Sequence, residues 1–487
     1  MRIIEDLYGS VSIEESKLWG ANTQRSLANF AIGEETMPDK MIQALILIKK
    51  AAATANESVG VISSEKKAAI IKACDVLLHD EKMKEHFPLS VWQTGSGTQT
   101  NMNVNEVIAN LANLLMEEAL VHPNDDVNAS QSTNDVFPTA MHISSVLMIT
   151  EVLLPTMKRF KNTLHTLSLK NKDILKTGRT HLQDATPISF GQEISAWKFM
   201  IESNISQIED ALKYLQKLPI GGTAVGTGLN SFVGYGEKVC ESLESMTGYG
   251  FEPSSNLFHA MSSKDMFVFA HGALNAAASN LFKIANDIRL LASGPRCGLG
   301  EITIPSNEAG SSIMPGKVNP TQAEALTMVC LQVMGNNTTI AMAASQGHFQ
   351  LNAFMPLIMQ NMTQSLRLLS DAMDSFHDKC LVGLVPNKEK MHENLTSSLM
   401  SATYLNKKFG YDTISRLVNE AHRDNIRIKD AVLKHQLMDK ASFDEYFDYH
   451  EMIKAKEMKE CAHETKTKPI TSILKDTQEV DQRKKSL

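Results

Sequence analysis

Two long segments of the chain carry apolar residues at alternating intervals of three and four. The first segment runs from Ile194 to Leu215 and the second from Phe267 to Leu291. This spacing places one apolar stripe along a helix, close to the heptad pattern of helical bundles. Each stripe is longer than an average globular helix of about a dozen residues. The pattern therefore predicts long helices that belong to an elongated bundle.

Two further segments have helical periodicity. One runs from about residue 141 to 169, where Pro155 is expected to kink the helix, and the other follows Pro320, from about residue 321 to 344. Few stretches alternate as strands do, so the pattern predicts an all-α fold with a long central helical bundle. Because a stripe reports only burial, a coiled-coil scaffold without any chemistry remains an alternative at this point.

The composition is that of an ordinary globular protein. Of 487 residues, 43% are hydrophobic and 21% are charged, and a chain of this length is enough for about three domains. We predict an N-terminal domain at 1–137, a central long-helix bundle domain at 138–357, a small C-terminal helical domain at 358–455 and a polar tail at 456–487.

Charge and cysteine content exclude several classes of protein. The net charge of −7 and the lack of a basic stripe argue against a nucleic-acid partner. The six cysteines are scattered without a CxxC pair, which indicates neither a zinc site nor a disulfide framework. The N-terminus does not resemble a signal peptide, and Glu151 interrupts an apolar run before it reaches membrane-spanning length. We therefore predict a soluble, cytoplasmic protein with no membrane segment.

Turn-rich segments interrupt the predicted helices. Four of them concentrate hydroxyl and amide side chains, and they include His122, His181 and Lys317. Loops on a rigid scaffold are where binding and catalytic sites are commonly built. The interruptions are residues 94–101, 122–135, 178–187, 220–230 and 310–320.

The segment GSSIMPGKVNP, residues 310–320, has the strongest chemical content. Gly310 and Gly316 allow backbone conformations that other residues resist, and they leave amide N–H groups open to an anion. Lys317 and Asn319 add a positive charge and an amide. The segment predicts a loop that surrounds a carboxylate or phosphate, although its serines could instead cap the following helix.

The other polar segments allow similar alternatives. SGTQTN (96–101) and QSTND (131–135) could cap helices or hold an anion at a helix N-terminus. His181 could carry a proton near neutral pH or have a structural role. Walker, HExxH and GxSxG motifs are absent from the sequence, so the residues indicate no cofactor and no metal. They predict a site with acid/base groups for a small anion.

The motifs together resemble the fumarase/aspartase superfamily. GSSIMPGKVNP is similar to its signature loop, and SGTQTNMNVNEV and TGRTHLQDATPISFGQEI match in the same order. WGANTQRSLANFAIG and MPGKVNPTQAEA most resemble class II fumarases, and the likeness covers about residues 1–455. The resemblance implies a three-domain fumarase/aspartase-like fold. It also implies reversible hydration of fumarate to L-malate, a citric acid cycle reaction, through an aci-carboxylate intermediate.

The resemblance also implies roles for individual residues. Ser311 corresponds to the base that removes the C3 proton, and His181 to the residue that acts through a water on the hydroxyl side, with Glu324 as its carboxylate partner. The implied substrate-binding residues are Ser96, Gly97, Thr98, Ser132, Thr133, Asn134, Thr180, Ser312, Lys317, Val318 and Asn319.

Two positions depart from the family pattern. Thr133 stands where many fumarases have serine, which keeps the hydroxyl but adds a methyl group. His122, Pro123, Asn124 and Asp125 resemble a second anion-binding turn, but Ala119 stands where some relatives have a basic residue. A plain turn is the alternative interpretation of that segment.

The resemblance implies a homotetramer in which each active site takes loops from three chains. It leaves two alternative functions open: an aspartate ammonia-lyase, which also forms fumarate, and a non-catalytic structural member of the superfamily. Argininosuccinate and adenylosuccinate lyases fit less well, because their larger substrates come with different signature loops.

Overall fold

The computed structural model describes residues 1–455, so the predicted polar tail at 456–487 lies outside the described residues. The described helices are α1 (Ala21–Asn29), α2 (Asp39–Glu57), α3 (Ser64–His79), α4 (Thr98–Met116), α5 (Thr133–Met148), α6 (Leu154–Lys170), α7 (Phe190–Leu215), α8 (Tyr235–Thr247), α9 (Leu257–Ser262), α10 (Asp265–Leu291), α11 (Thr321–Ala344), α12 (Met355–Phe376), α13 (Lys388–Ser397), α14 (Asn406–Phe409), α15 (Tyr411–Arg423), α16 (Ile428–Lys434), α17 (Lys440–Tyr446) and α18 (Tyr449–Met452).

Strands are few and short. They form two-stranded pairs, of which β1–β2 and β7–β8 are antiparallel and β5–β6 is parallel. The structure is 63% helical, which confirms the predicted all-α class. The strands are β1 (Arg2–Asp6), β2 (Gly9–Ile13), β3 (Leu175–Thr180), β4 (Gln183–Ser189), β5 (Lys217–Leu218), β6 (Glu252–Pro253), β7 (Ile302–Thr303) and β8 (Val385–Pro386).

The long helices α7, α10 and α11 form the centre of the fold. α10 packs against α7 and α11, and α11 packs against α12. Leu274, Leu281 and Ile288 on α10 are fully buried, and each contributes about 1.5–3 kcal/mol by leaving water. Asp265 in the first turn of α10 and Arg289 in its last turn complement the helix dipole. The predicted stripes are thus the buried faces of real helices.

The helix predicted near residues 141–169 is present but has an irregular turn. A π-helical turn at Ile149–Leu153 separates α5 from α6, and Pro155 lies in the first turn of α6, where proline is tolerated. The continuous helix Thr133–Lys170 is long and apolar enough to cross a membrane, but 83% of its most apolar window is buried inside the fold. That burial identifies it as a core helix.

The segment 178–187 is not simply the turn-rich interruption that the sequence predicted. It is most of a β-hairpin, in which β3 pairs with β4. The two residues between the strands, His181 and Leu182, have φ angles of 56° and 60°. This left-handed backbone at both central positions is typical of the two-residue turns that join twisted antiparallel strands.

The chain divides into two compact units. The first contains Met1–Thr177 and Ile188–Ser397, and the second contains Gly178–Pro187 with the described chain from Ser398 onward. Each unit has its own hydrophobic cluster. The three-domain division given by the sequence remains a prediction. The second unit's cluster includes Ala402, Leu405, Ile414, Leu417, Val432 and Phe443.

Candidate active site

The loop at residues 310–320 is closed by its own hydrogen bonds. Gly310 N–H donates to the carbonyl of Lys317 at 3.1 Å, and Asn319 Nδ2 donates to the carbonyl of Gly310 at 2.5 Å. A Cβ atom on Gly310 would lie 2.3 Å from the Lys317 oxygen, so only glycine allows this approach. These contacts bring the two ends of the loop together and give the intervening residues a defined shape.

The hydroxyl of Ser311 lies inside this closed loop. Its Oγ accepts hydrogen bonds from the N–H groups of Ile313, at 3.2 Å, and Met314, at 3.1 Å. A serine hydroxyl has two acceptor lone pairs and one proton to give. Because both amides donate to the oxygen, they stabilise negative charge on it. The arrangement suits a serine that gives up its proton.

The remaining predicted residues of this region follow Ser311 in sequence, and most of them lie open to solvent. Ser312, Lys317 and Val318 are exposed, whereas Asn319 is half-buried. Glu324 is half-buried in the first turn of α11. The loop therefore presents a hydroxyl and an ammonium group on one accessible segment, next to a carboxylate at the start of a long helix.

A second group of predicted residues lies at the N-terminus of α4. Gly97 has a φ of 75° and offers no side chain to cap the helix. Gln93 Oε1 accepts from the N–H of Thr100 at 3.1 Å, so the first two N–H groups of the helix, those of Thr98 and Gln99, are the ones that can face an anion. Ser96 Oγ and Thr98 Oγ1 lie 2.8 Å apart and share a hydrogen bond. Both side chains are half-buried. This end of α4 combines two hydroxyl groups with the positive end of a helix.

The third group lies at the N-terminus of α5. Ser132 caps the helix, with its Oγ accepting from Asn134 N–H at 3.3 Å while Asp135 accepts from Ser132 N–H at 3.0 Å. Thr133 Oγ1 accepts from Asn101 Nδ2 of α4 at 2.9 Å. That bond joins the N-termini of α4 and α5. The capping interpretation and the binding interpretation of this segment are thus compatible, because Thr133 is not used by the cap.

Asp135 connects this helix end to the glycine-rich segment 220–230. Its Oδ2 accepts from the N–H groups of Gly221 and Thr223, each at 3.0 Å, and Asn134 Nδ2 donates to Ala224 at 2.9 Å. Burial raises the pKa of Asp135 to about 6, although these N–H groups favour its charged form. The structure therefore brings residues 132–135 and 221–224 together, and the bond from Asn101 to Thr133 joins them to α4.

Several buried residues that support this cluster were not predicted from the sequence. Asp135 and the buried Lys49 of α2 were not among the predicted site residues. Neither were Asn101, which donates to Thr133, and Asn128, which accepts from Lys49 and Asn101. A signal was present, because Lys49 occupies an apolar position of α2, in the series Leu45, Ile48, Lys49, Ala52 and Asn56. A lysine on a buried stripe needs a polar partner inside the protein.

Thr180 and His181 belong to the second compact unit. Thr180 ends β3, and His181 is the first residue of the turn, with an exposed side chain. Its left-handed φ of 56° is uncommon for a residue with a side chain, and such strain often occurs at functional sites. The hairpin thus presents an imidazole at its tip.

The turn predicted as a second anion site is a π-helical turn at Pro123–Val127. His122 Nδ1 accepts from Asp125 N–H at 3.1 Å and lies 3.2 Å from the carboxylate of Asp125. Lys66 pairs with Asp126 through both carboxylate oxygens, at 2.8 and 2.9 Å. These contacts use His122 as a cap, and the binding of an anion there remains a prediction.

Comparison with known proteins identifies the relatives of this chain. The family model described as "Lyase" matches residues 9–335, and the model described as "Fumarase C C-terminus" matches residues 402–454. The chain is 52% identical over 459 residues to the class II fumarate hydratase of Bacillus subtilis, covering 93% of this chain and 99% of that relative. It is 53% identical over 457 residues to that of Helicobacter pylori, covering 93% and 98%.

Solved structures show the same relationship. The crystal structure of recombinant class II fumarase from Schistosoma mansoni superposes with a TM-score of 0.90 at 41% identity, covering 93% of this chain and 99% of that one. A fumarate lyase:delta crystallin from Brucella melitensis, solved with bound cobalt, gives a TM-score of 0.89 at 36% identity, covering 93% and 100%.

Proposed function

Because the chain belongs to the class II fumarate hydratase family of lyases and hydrates fumarate reversibly to L-malate, we propose that Ser311 is the base of this reaction. Dehydration of malate removes a weakly acidic C3 proton next to a carboxylate. A serine oxygen can do this only if its negative charge is stabilised. The two N–H groups that donate to Ser311 Oγ supply that stabilisation, and this observation carries the proposal.

The hydroxyl side of the substrate needs a proton donor. Hydroxide is a poor leaving group, so the oxygen must be protonated as the C–O bond breaks. We assign this role to His181, acting through a water molecule, with Glu324 as its carboxylate partner. An imidazole is suited to proton transfer near neutral pH, and the exposed position of His181 at the tip of its hairpin supports the assignment.

Negative charge on the substrate needs several partners. Removal of the C3 proton places a second charge on the adjacent carboxylate, which gives an aci-carboxylate dianion. Lys317, with Ser312, Val318 and Asn319, is proposed to hold one carboxylate. The helix N-termini that carry Ser96, Gly97 and Thr98, and Ser132, Thr133 and Asn134, together with Thr180, are proposed to complete the pocket. Helix N-termini stabilise anions through free N–H groups.

We propose that the protein is a cytoplasmic homotetramer whose active sites are shared between subunits. One face of α11 supports this assembly. Met328, Leu331 and Met342 lie on that face with 65%, 56% and 65% of their surfaces exposed, and Glu324 is the only charged residue between Thr321 and Ala344. A long uncharged apolar face on a central helix is typical of an interface between subunits.

The first experiment measures fumarate formation from L-malate by ultraviolet absorbance, with a chelator present and L-aspartate in a parallel assay. We expect activity with malate alone. The Ser311→Ala variant should lose at least about a thousandfold in kcat, because no other group replaces the base, while its tetramer stays intact. Ser306→Ala, an exposed serine of the preceding segment, is the matched control and should retain full activity.

Other results would favour the alternatives. Activity with aspartate alone would indicate an ammonia-lyase, and no activity with either substrate would indicate a non-catalytic member of the family. Wild-type turnover in Ser311→Ala would show that another group removes the C3 proton.

A further inference from the structure

A buried lysine lies beneath the N-terminus of α5. Lys49 of α2 is fully buried, and its Nζ donates to Asn128 Oδ1 at 2.9 Å and to Gln131 Oε1 at 3.0 Å. The Gln131 amide is held in this orientation because its Nε2 donates to the carbonyls of Val127 and Ala129. The ammonium group therefore faces two amide oxygens, of which that of Gln131 is fixed by bonds of its own.

Hydrogen bonds extend from Lys49 to the proposed substrate pocket. Asn128 Oδ1 accepts a second bond, from Asn101 Nδ2 at 3.2 Å, and the same Nδ2 donates to Thr133 Oγ1 at 2.9 Å. Lys49, Asn128, Asn101 and Thr133 thus form one continuous series. Thr133 is its last member and the only one in the proposed pocket.

The donors and acceptors in this series have a fixed direction. An ammonium group only donates, and an amide oxygen only accepts. With Lys49 donating to Asn128 Oδ1, the oxygen rather than the nitrogen of that amide faces Asn101, and Asn101 must present its Nδ2. Asn101 Nδ2 then donates to Thr133 Oγ1. The hydroxyl of Thr133 is consequently an acceptor towards the protein, and its own proton points elsewhere.

A purely structural role would not require a lysine. Burial lowers the pKa of Lys49 to about 7, although the charge of Asp135 opposes this effect. Burying an ammonium group is unfavourable, and an apolar side chain of similar length would fill the space at lower cost. What the ammonium group supplies, and an apolar group does not, is the direction of the hydrogen bonds.

We propose that Lys49 is a positioning residue that, through Asn128 and Asn101, holds the Thr133 hydroxyl with its proton directed at a substrate carboxylate. This inference rests on the proposed function, which assigns Thr133 to the pocket. Without Lys49, the orientation of the Asn128 amide is held only by the long 3.4 Å bond from its Nδ2 to the Gln131 carbonyl. The Asn128 and Asn101 amides can then turn, and Thr133 donates its proton to the protein. The substrate carboxylate loses one hydrogen bond.

The test is a double-mutant cycle on KM and kcat for fumarate. Thr133→Val removes the hydroxyl with little change of shape and should raise KM about tenfold, the effect of losing one hydrogen bond to a charged group. Lys49→Met should raise KM by a similar factor and change kcat less than about threefold. The double variant should be no worse than Thr133→Val alone, because both changes remove the same bond.

Lys50→Met is the matched control. Lys50 neighbours Lys49 but pairs with Asp75, so its replacement should leave KM unchanged. If Lys49→Met does not assemble, Asn128→Ala interrupts the same series and should show the same non-additivity with Thr133→Val.

The possible failures are distinguishable. If Thr133→Val leaves KM unchanged, the assignment of Thr133 to the pocket is wrong, and the role of Lys49 falls with it. If Thr133→Val raises KM but the penalties of the two single variants multiply in the double variant, the pocket assignment stands and Lys49 acts only on the fold. An unchanged KM in Lys49→Met would also overturn the proposal.

Discussion

His142 of α5 is a single residue whose protonation should make the stability of the protein depend on pH. It is buried against Phe267, with ring centroids 4.8 Å apart, and its Nδ1 lies 2.8 Å from the carbonyl of Leu215. A carbonyl only accepts, so Nδ1 carries the proton of the neutral ring. Burial lowers the pKa of His142 to about 4, although the hydrogen bond to Leu215 favours the charged form.

The sign of the pH effect follows from this shift. The unfolded chain binds a proton near pH 6.5 and the folded protein only near pH 4, so unfolding takes up a proton between these values. The neutral His142 ring makes its full contribution to the free energy of unfolding above pH 6.5. That contribution is lost progressively as the pH falls from 6.5 through 4. Between pH 7.5 and 4.5 we expect His142 to account for roughly 2–3 kcal/mol of the lost free energy of unfolding.

Urea denaturation at the two pH values measures this contribution, with His142→Gln as the comparison. The glutamine keeps a donor for the Leu215 carbonyl but does not titrate. The free energy of unfolding of the His142→Gln variant should fall less on acidification than that of the wild type. An equal fall in both proteins would show that His142 is not the group responsible.

The sequence indicates candidate site residues where several polar groups lie within one segment. The glycines and polar groups of the loop at 310–320 predicted an anion-binding loop that includes Lys317, and the family resemblance implied the role of Ser311. The structure adds that the Ser311 oxygen accepts two backbone N–H groups. Lys49 and Asp135 were not predicted, because their roles depend on partners 79 and 86 residues away in sequence. A single sequence does not show which distant side chains meet.

The N-terminus of α4 is an element whose position depends on one glycine. Gly97 has a left-handed φ of 75°, and a Cβ atom there would lie 2.2 Å from the ring of Phe137, which is fully buried. Gly97→Ala therefore combines backbone strain of roughly 1 kcal/mol with overpacking of about 1–3 kcal/mol. We expect a loss of about 2–4 kcal/mol in the free energy of unfolding and a raised KM, because Thr98 must move.

Gly248→Ala is the matched control for this prediction. Gly248, at the end of α8, has nearly the same φ of 76°, but nothing lies within 4 Å of its added Cβ. The Gly248→Ala variant should lose only about 1 kcal/mol in the free energy of unfolding, and its KM should stay unchanged. Denaturation curves and fumarate kinetics on both variants test this prediction. Equal losses of unfolding free energy in Gly97→Ala and Gly248→Ala would contradict it.

The helices were more predictable than the connections between them. Helix α11 spans Thr321–Ala344 as predicted, because Pro320 and an apolar period mark its start and extent. The hairpin β3–β4 was not predicted from the sequence. Its turn has His181 and Leu182 at positive φ, whereas asparagine followed by glycine is the usual sequence signal of such a turn. The π-helical turn before Pro155 was also not predicted, because the sequence of Ile149–Leu153 reads as ordinary helix.

At the scale of the whole molecule, the sequence indicated an elongated helical bundle but not what covers it. Periodicity identifies the buried stripe of a helix. It does not separate a solvent-exposed face from one that contacts another subunit, because both lie outside the core of the single chain. The exposed apolar side chains of α11 become visible only once burial is known.

The proposed tetramer should dissociate when charge is introduced on that face. Leu331 of α11 is 56% exposed and lies between Met328 and Gly335, so in an assembled bundle its side chain would be buried against another subunit. Leu331→Glu would then bury an unpaired carboxylate, which costs several kcal/mol at each contact. We expect smaller species in sedimentation velocity, loss of fumarate hydration, since the sites need loops from several chains, and a circular dichroism spectrum that stays helical.

Leu169→Glu is the control, because Leu169 is comparably exposed, at 58%, near the end of α6 and lies among Lys170, Asn171 and Lys172. It should remain tetrameric and active. If both variants stay tetrameric, α11 does not form the interface. If Leu331→Glu dissociates but its smaller species hydrate fumarate at the wild-type rate, each active site is complete within one chain, and the proposal of shared sites is wrong.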